Sequence, residues 1–116
     1  MSIEEKQIND VLVIQINFTR ATFNEANILK SSIENGVEKG YAKIILDLNN
    51  CEYVDSTYLN VMVNGLKRVT KINGDIRIVG LQPTVLAMFE LTRIFRVFQT
   101  YSDVQKAVDS FESKNQ

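Results

Sequence analysis

Residues 43–69 read KIILDLNNCEYVDSTYLNVMVNGLKRV, and this stretch decides the architecture. Ile44, Ile45, Leu46 and Leu48 form an apolar run too short for a helix and too continuous for a half-exposed strand, so they predict a buried parallel strand. Asp47 interrupts the run, an acid for the strand's solvated or hydrogen-bonded edge with no catalytic partner beside it. Asp55, Ser56 and Thr57 follow, all good helix-capping residues, and Leu59, Met62, Val63 and Leu66 then recur at helical spacing. The unit is strand, loop, helix, with the helix over about residues 56–72 and Asn73-Gly74-Asp75 as the turn that ends it. Its loop sets a carboxylate and two hydroxyls where the first N–H groups of a helix are unpaired and the helix dipole is positive.

Toward the N-terminus, residues 2–8 alternate weakly, Asn9-Asp10 tolerates the left-handed backbone of a tight turn, and Val11–Ile16 is apolar. Together they predict an antiparallel hairpin whose first strand is a sheet edge, where Glu4, Glu5 and Lys6 discourage further pairing. Thr22-Phe23-Asn24-Glu25 fits a capping box, opening a helix with Ala26, Leu29, Ile33 and Val37 on one face and Gly40 at its end, after Gly36 has weakened it.

Toward the C-terminus, Ile76 and Ile78 alternate with Arg77 and Val79, which predicts a strand partly exposed on one face. Pro83 suits the first turn of a helix carrying Val85, Met88 and Phe89, with Leu91 and Ile94 continuing the apolar surface. Residues 97–101 read as a short strand. Ser102-Asp103-Val104-Gln105 is a second capping-box pattern, for a helix with Val104, Ala107, Val108 and Phe111 on one face. Residues 113–116 are expected to be disordered.

The order is β-β-α-β-α-β-α-β-α. It predicts an α/β domain: a mostly parallel mixed sheet of four to five strands with one antiparallel edge and four helices, right-handed in its crossovers. One domain takes up residues 1–116, with an ordered core over about 2–112. Ligand sites in such sheets lie beyond the carboxyl ends of the strands, which is where Asp55-Ser56-Thr57 falls.

Composition narrows the function. Thirteen basic residues stand against 14 acidic ones in 116, so no basic excess is available to neutralise nucleic-acid phosphates. Lys67, Arg68 and Lys71 cluster near a helix C-terminus, where they complement the dipole. The chain has no histidine, which excludes Ser-His-Asp and Cys-His catalysis, histidine-ligated metal and relay through phosphohistidine. The lone Cys51 has no partner for a disulfide or a metal site and reads as a small packed side chain. No Gly-rich phosphate loop and no general base are present, so no catalytic, cofactor-binding or metal residue and no cofactor are expected. A receiver domain would need an acidic pair after its first strand, and none follows Val11–Phe18. With no 18-residue apolar run and no signal-like N-terminus, the expectation is a cytoplasmic protein without membrane insertion.

Taken together, ILDL, a six-residue loop, YVDST, an apolar helix, NGDIRIVG and QPTVLAMFELTRIF resemble the STAS domain, and within it the bacterial anti-sigma-factor antagonists. The resemblance covers nearly the whole chain and is most specific over residues 44–98. That family carries Asp-Ser-Ser/Thr-Gly in this loop, and its second hydroxyl residue accepts phosphate from a partner kinase. Matched residue by residue, Asp55, Ser56 and Thr57 agree, so the resemblance implies Thr57 as phosphoacceptor, with Ser56 as the alternative.

Two departures stand out. Tyr58 occupies the position of the family glycine, either as a partner contact beside Thr57 or as a ring folded against the end of the sheet. The partner-facing Gly-x-Leu-Asp segment is replaced by Asn17-Phe18-Thr19-Arg20-Ala21, with neither the Gly nor the Asp. Phe18 and the nearby Phe23 are then either exposed anchors or core residues.

The resemblance implies a non-enzymatic module that binds an anti-sigma factor with an ATP-binding serine/threonine kinase fold. Its partner-binding residues would be Asp55, Ser56, Thr57, Tyr58 and Phe23. A phosphate on Thr57 adds nearly two negative charges, and desolvating them in a protein contact is strongly unfavourable, so modification releases the partner. The alternative is a structural STAS subunit of a phospholipid-transport ABC assembly or signalling scaffold, with no phospho-switch. In the plainest reading Asp55 forms an Asx-turn and Ser56 or Thr57 caps the helix, with no further task.

Overall fold

A computed structural model describes residues 3–112. In chain order they form β1 (Ile3–Ile8), β2 (Val11–Ile16), β3 (Arg20–Ala21), α1 (Ala26–Glu38), β4 (Lys43–Asp47) and β5 (Tyr53–Val54). Then come α2 (Ser56–Thr70), β6 (Asp75–Val79), α3 (Pro83–Leu91), a 3-10 turn (Ile94–Arg96), β7 (Thr100–Tyr101) and α4 (Val104–Glu112). Five strands make one sheet in the order β1-β2-β4-β6-β7, antiparallel only between β1 and β2. The expected α/β architecture, with four helices and one antiparallel edge, is the one observed. Asn9 makes the hairpin turn with a left-handed φ of 55°.

Period-two alternation decides which helix covers which face of the sheet. Leu12, Ile14, Ile16, Ile44 and Leu46 face one side, where Leu29 and Ile33 of α1, Leu59 and Met62 of α2, and Val85 and Phe89 of α3 pack on them. Val11, Val13, Ile45 and Val79 face the other, covered by Ala107 and Val108 of α4. Both faces are covered over most of their length, so Val11–Ile14 and Ile44–Leu46 read as continuous apolar runs. At about 2 kcal/mol for each fully buried large aliphatic side chain, the three-helix face supplies most of the stability.

Helices α1 and α2 approach closely because position 65 is glycine. A Cβ there would lie 2.8 Å from Cδ1 of Ile33 and 3.2 Å from Cδ1 of Ile76. After α2, Asn73 takes a left-handed φ of 62° and Gly74 passes so near Ala42 that a Cβ would sit 2.0 Å from its carbonyl oxygen. The α2–β6 connection is therefore fixed against the start of β4.

Several local expectations are corrected. Thr22-Phe23-Asn24-Glu25 forms a turn ahead of α1, not its first helical turn. The Glu25 carboxylate accepts the N–H and hydroxyl of Thr22 at 2.8 and 2.9 Å, but α1 itself has no side-chain cap. At α4 the N-terminal N–H of Lys106 goes to Asp103 at 2.8 Å, while Gln105 turns forward to Asp109, so no capping box closes. Only Thr100–Tyr101 of the expected strand over 97–101 pairs with β6, because the 3-10 turn runs up to Arg96. Asp75 is the first residue of β6, not a turn residue, and pairs with Arg77 at 2.9 Å; Arg77 in turn stacks on Phe111 of α4 at 4.1 Å. The parallel β3–β5 pair was not foreseen. The expected disorder of residues 113–116 lies outside the described residues, as does Ser2.

Candidate functional site

The loop between β4 and α2 is sewn to the segment that follows β2. At its start Asp47, almost fully buried, accepts the N–H and side-chain amide of Asn49, both at 2.9 Å. Cys51 is buried, donates toward the carbonyl of Tyr53 at 3.3 Å, and burial pushes its thiol pKa up, which suits packing and not reactivity. The N–H groups of Glu52 and Tyr53 both reach the carbonyl of Thr19, and that of Asp55 reaches Ala21 at 3.1 Å. Exposed Arg20 lies over the Tyr53 ring at 4.2 Å, completing the β3–β5 contact.

Asp55 is the hinge pin of this end. Its backbone is extended, and one carboxylate oxygen accepts the N–H of Tyr58 at 2.9 Å, capping α2. The other accepts the N–H of Phe23 at 2.8 Å, from 32 residues earlier in the chain. One side chain thus fixes the start of α2 and the turn before α1 to each other. Phe23 projects from that turn with 67% of its surface exposed, whereas Phe18 is half-buried against the core. The two readings of this aromatic pair are resolved one each way.

Because Asp55 does the capping, Ser56 and Thr57 do not. Both are exposed at the first two positions of α2, and among the described residues neither hydroxyl has a hydrogen-bond partner. Thr57 also opens onto a cavity of about 280 Å³ between α1 and α2, lined by Ala26, Lys30, Ile33, Val61, Gly65 and Arg68 among others.

Tyr58 is a correction. The ring is completely buried in the main core and cannot touch a partner, so it leaves the partner-binding set. Its apolar face at the third position of α2 wins over its hydroxyl, which is left without a partner. Burial, with Cys51 and Glu25 nearby, pushes the phenol far above its ordinary pKa.

The structure therefore brings Asp55, Ser56, Thr57 and Phe23 together at the carboxyl end of the strands. Sequence reasoning missed Arg20, Lys30 and the groove. The alternation of Lys30 with Glu34 and of Asn64 with Arg68, each four apart, was the available sign that two polar helix edges face each other. Among the described residues no three His, Cys, Asp or Glu side chains converge as a metal site, and no helix is long and apolar enough to cross a membrane.

Compared with known families, residues 2–107 match the model of the STAS domain. The chain belongs to the STAS domain family. A Thermotoga maritima relative, named as a candidate anti-sigma factor antagonist, is 28% identical to it over 110 residues, 94% of this chain and 96% of the relative. The crystal structure of a Thermotoga maritima protein of that description superposes with a TM-score of 0.88 at 26% identity, covering 96% of this STAS chain and 95% of the other. The anti-sigma factor antagonist SpoIIAA, solved unphosphorylated, has a TM-score of 0.76 at 14% identity over 97% of this chain and 99% of its own. The Bacillus SpoIIAA in phosphorylated form gives 0.73 at 13%, over 95% and 99%. At those identities SpoIIAA shares the STAS fold.

Proposed function

We propose that this STAS domain is a non-enzymatic regulatory module that binds an anti-sigma factor with an ATP-binding serine/threonine kinase fold and is released when Thr57 is phosphorylated. One observation carries the reading. Asp55 satisfies the helix cap, so the exposed Thr57 hydroxyl has no structural duty and is open to a kinase. Ser56, exposed beside it, is the alternative acceptor. Relatives named for anti-sigma factor antagonism support a regulatory role. That SpoIIAA has been solved in phosphorylated and unphosphorylated forms fits a switch acting through charge on a retained fold.

In the unmodified state Phe23, Ser56 and Thr57 present one aromatic and two small polar side chains, a surface a partner can dry at low cost. Asp55 contributes by position: its carboxylate is engaged on both oxygens and holds the other three in register. Phosphorylation places close to two negative charges in that contact, and their desolvation breaks it. The ATP and the catalytic base belong to the partner.

Incubation with its cognate kinase and ATP, read by mass spectrometry, tests the proposal. One added phosphate, abolished by Thr57→Ala and retained in Ser56→Ala, is the expected result. An unmodified chain overturns the switch.

A further inference from the structure

We propose that Lys30 is the built-in counter-ion of phosphorylated Thr57, holding the phosphoryl group across the mouth of the α1–α2 groove. The inference rests on Thr57 as the phosphoacceptor and adds where the phosphoryl group goes. In the transfer, the bond between the γ-phosphorus of ATP and the ADP oxygen breaks and one to Oγ1 of Thr57 forms. The hydroxyl proton passes to the kinase's base, and ADP leaves.

Lys30 and Thr57 line the same cavity, with Ala26, Ile33, Val61 and Gly65 as its apolar part. Both helices start at the same end of the sheet, tied there by the Phe23 N–H on Asp55. Lys30 is four residues into α1 from Ala26, so its Cα lies ~6 Å further along the axis. Side chains on a helix lean back toward its N-terminus, over the preceding turn. That lean directs the Lys30 side chain back along the groove it shares with Thr57.

The charges around the groove leave this lysine available. Its other cation, Arg68, is engaged by Glu34 at 3.9 Å, whereas among the described residues Lys30 makes no ion pair. Asp55, which caps α2, has both oxygens occupied by the N–H groups of Tyr58 and Phe23. Glu25, ahead of α1, is held by Thr22. Of the two cations lining the groove that Thr57 opens onto, a phosphoryl group thus meets one, Lys30, that is exposed and that no carboxylate engages.

The test uses the full chain with phosphothreonine genetically encoded at position 57, followed by 31P NMR across pH. Lys30→Met, at an exposed position that tolerates it, is expected to raise the midpoint of the phosphate titration by roughly half a pH unit, because a nearby cation favours the dianion. Lys30→Arg stays with the parent. Lys67→Met, which removes the same charge from α2 away from the groove, leaves the midpoint in place. An unmoved midpoint in Lys30→Met overturns the pairing, as does an equal shift in Lys67→Met, which would mean only a diffuse field. Because the phosphate is encoded and not transferred, a failed pairing is read separately from a kinase that does not modify Thr57.

Discussion

Helices α2 and α4 begin alike and end up meaning different things. Each opens on an aspartate that accepts the N–H of the residue three positions on, Asp55 from Tyr58 and Asp103 from Lys106. At α4 the motif stops there: the Ser102 hydroxyl accepts from the Lys106 ammonium at 3.2 Å, and everything stays within one turn. At α2 the second carboxylate oxygen reaches Phe23, across 32 residues, and the third helical position carries a buried aromatic ring. The lesson is that a cap becomes a candidate site only when it is also a tertiary joint. The joint gathers an exposed aromatic, two idle hydroxyls and a groove onto one surface.

Breaking the joint is the strongest way to test that contrast. Asp55→Ala removes a cap together with the charge-assisted bond to the Phe23 N–H, and is expected to cost about 2 kcal/mol in urea unfolding, against about 1 kcal/mol for Asp103→Ala. Equal losses would mean the Phe23 bond adds nothing. Tyr58→Phe sharpens the comparison from inside. It deletes a buried hydroxyl with no partner and should stabilise the fold by about 0.5 to 1 kcal/mol.

The same hydroxyl sets a pH dependence. Burial raises the folded-state pKa of Tyr58 above its ordinary value of 10.0, so its stabilising contribution is complete below that pH and is lost as pH rises beyond it. Alkaline unfolding midpoints should therefore move to higher pH in Tyr58→Phe. The smallest expected effect is on folding in Phe23→Ala. This exposed side chain should shift stability by less than about 0.5 kcal/mol while weakening partner binding, the separation expected of a contact residue.

The framework was legible because its evidence is periodic. Ile44, Ile45 and Leu46 announce a two-sided buried strand, and Leu59 and Met62 announce the helix that covers it. The site was half legible. Asp55, Ser56 and Thr57 were found by type and resemblance, yet sequence alone left open which of them caps, and the answer frees Thr57. Tyr58 was undecided because a tyrosine at a helix start suits surface or core equally until the packing around Cys51 is known. The β3–β5 pair is only two residues per strand, too short for any period, and so were the bonds that bring Arg20 and Phe23 to the site. Lys30 was invisible for the same reason: its neighbours across the groove are 27 or more residues away.

The central claim is that charge placed on one hydroxyl decides whether this end of the molecule is occupied. The direct measurement is complex formation between the proposed anti-sigma kinase partner and two versions of the chain, unmodified and carrying phosphothreonine at position 57, by titration calorimetry. The account predicts saturable binding by the unmodified chain and no complex with the phosphorylated chain at the same concentrations. Equal affinities for both would contradict it.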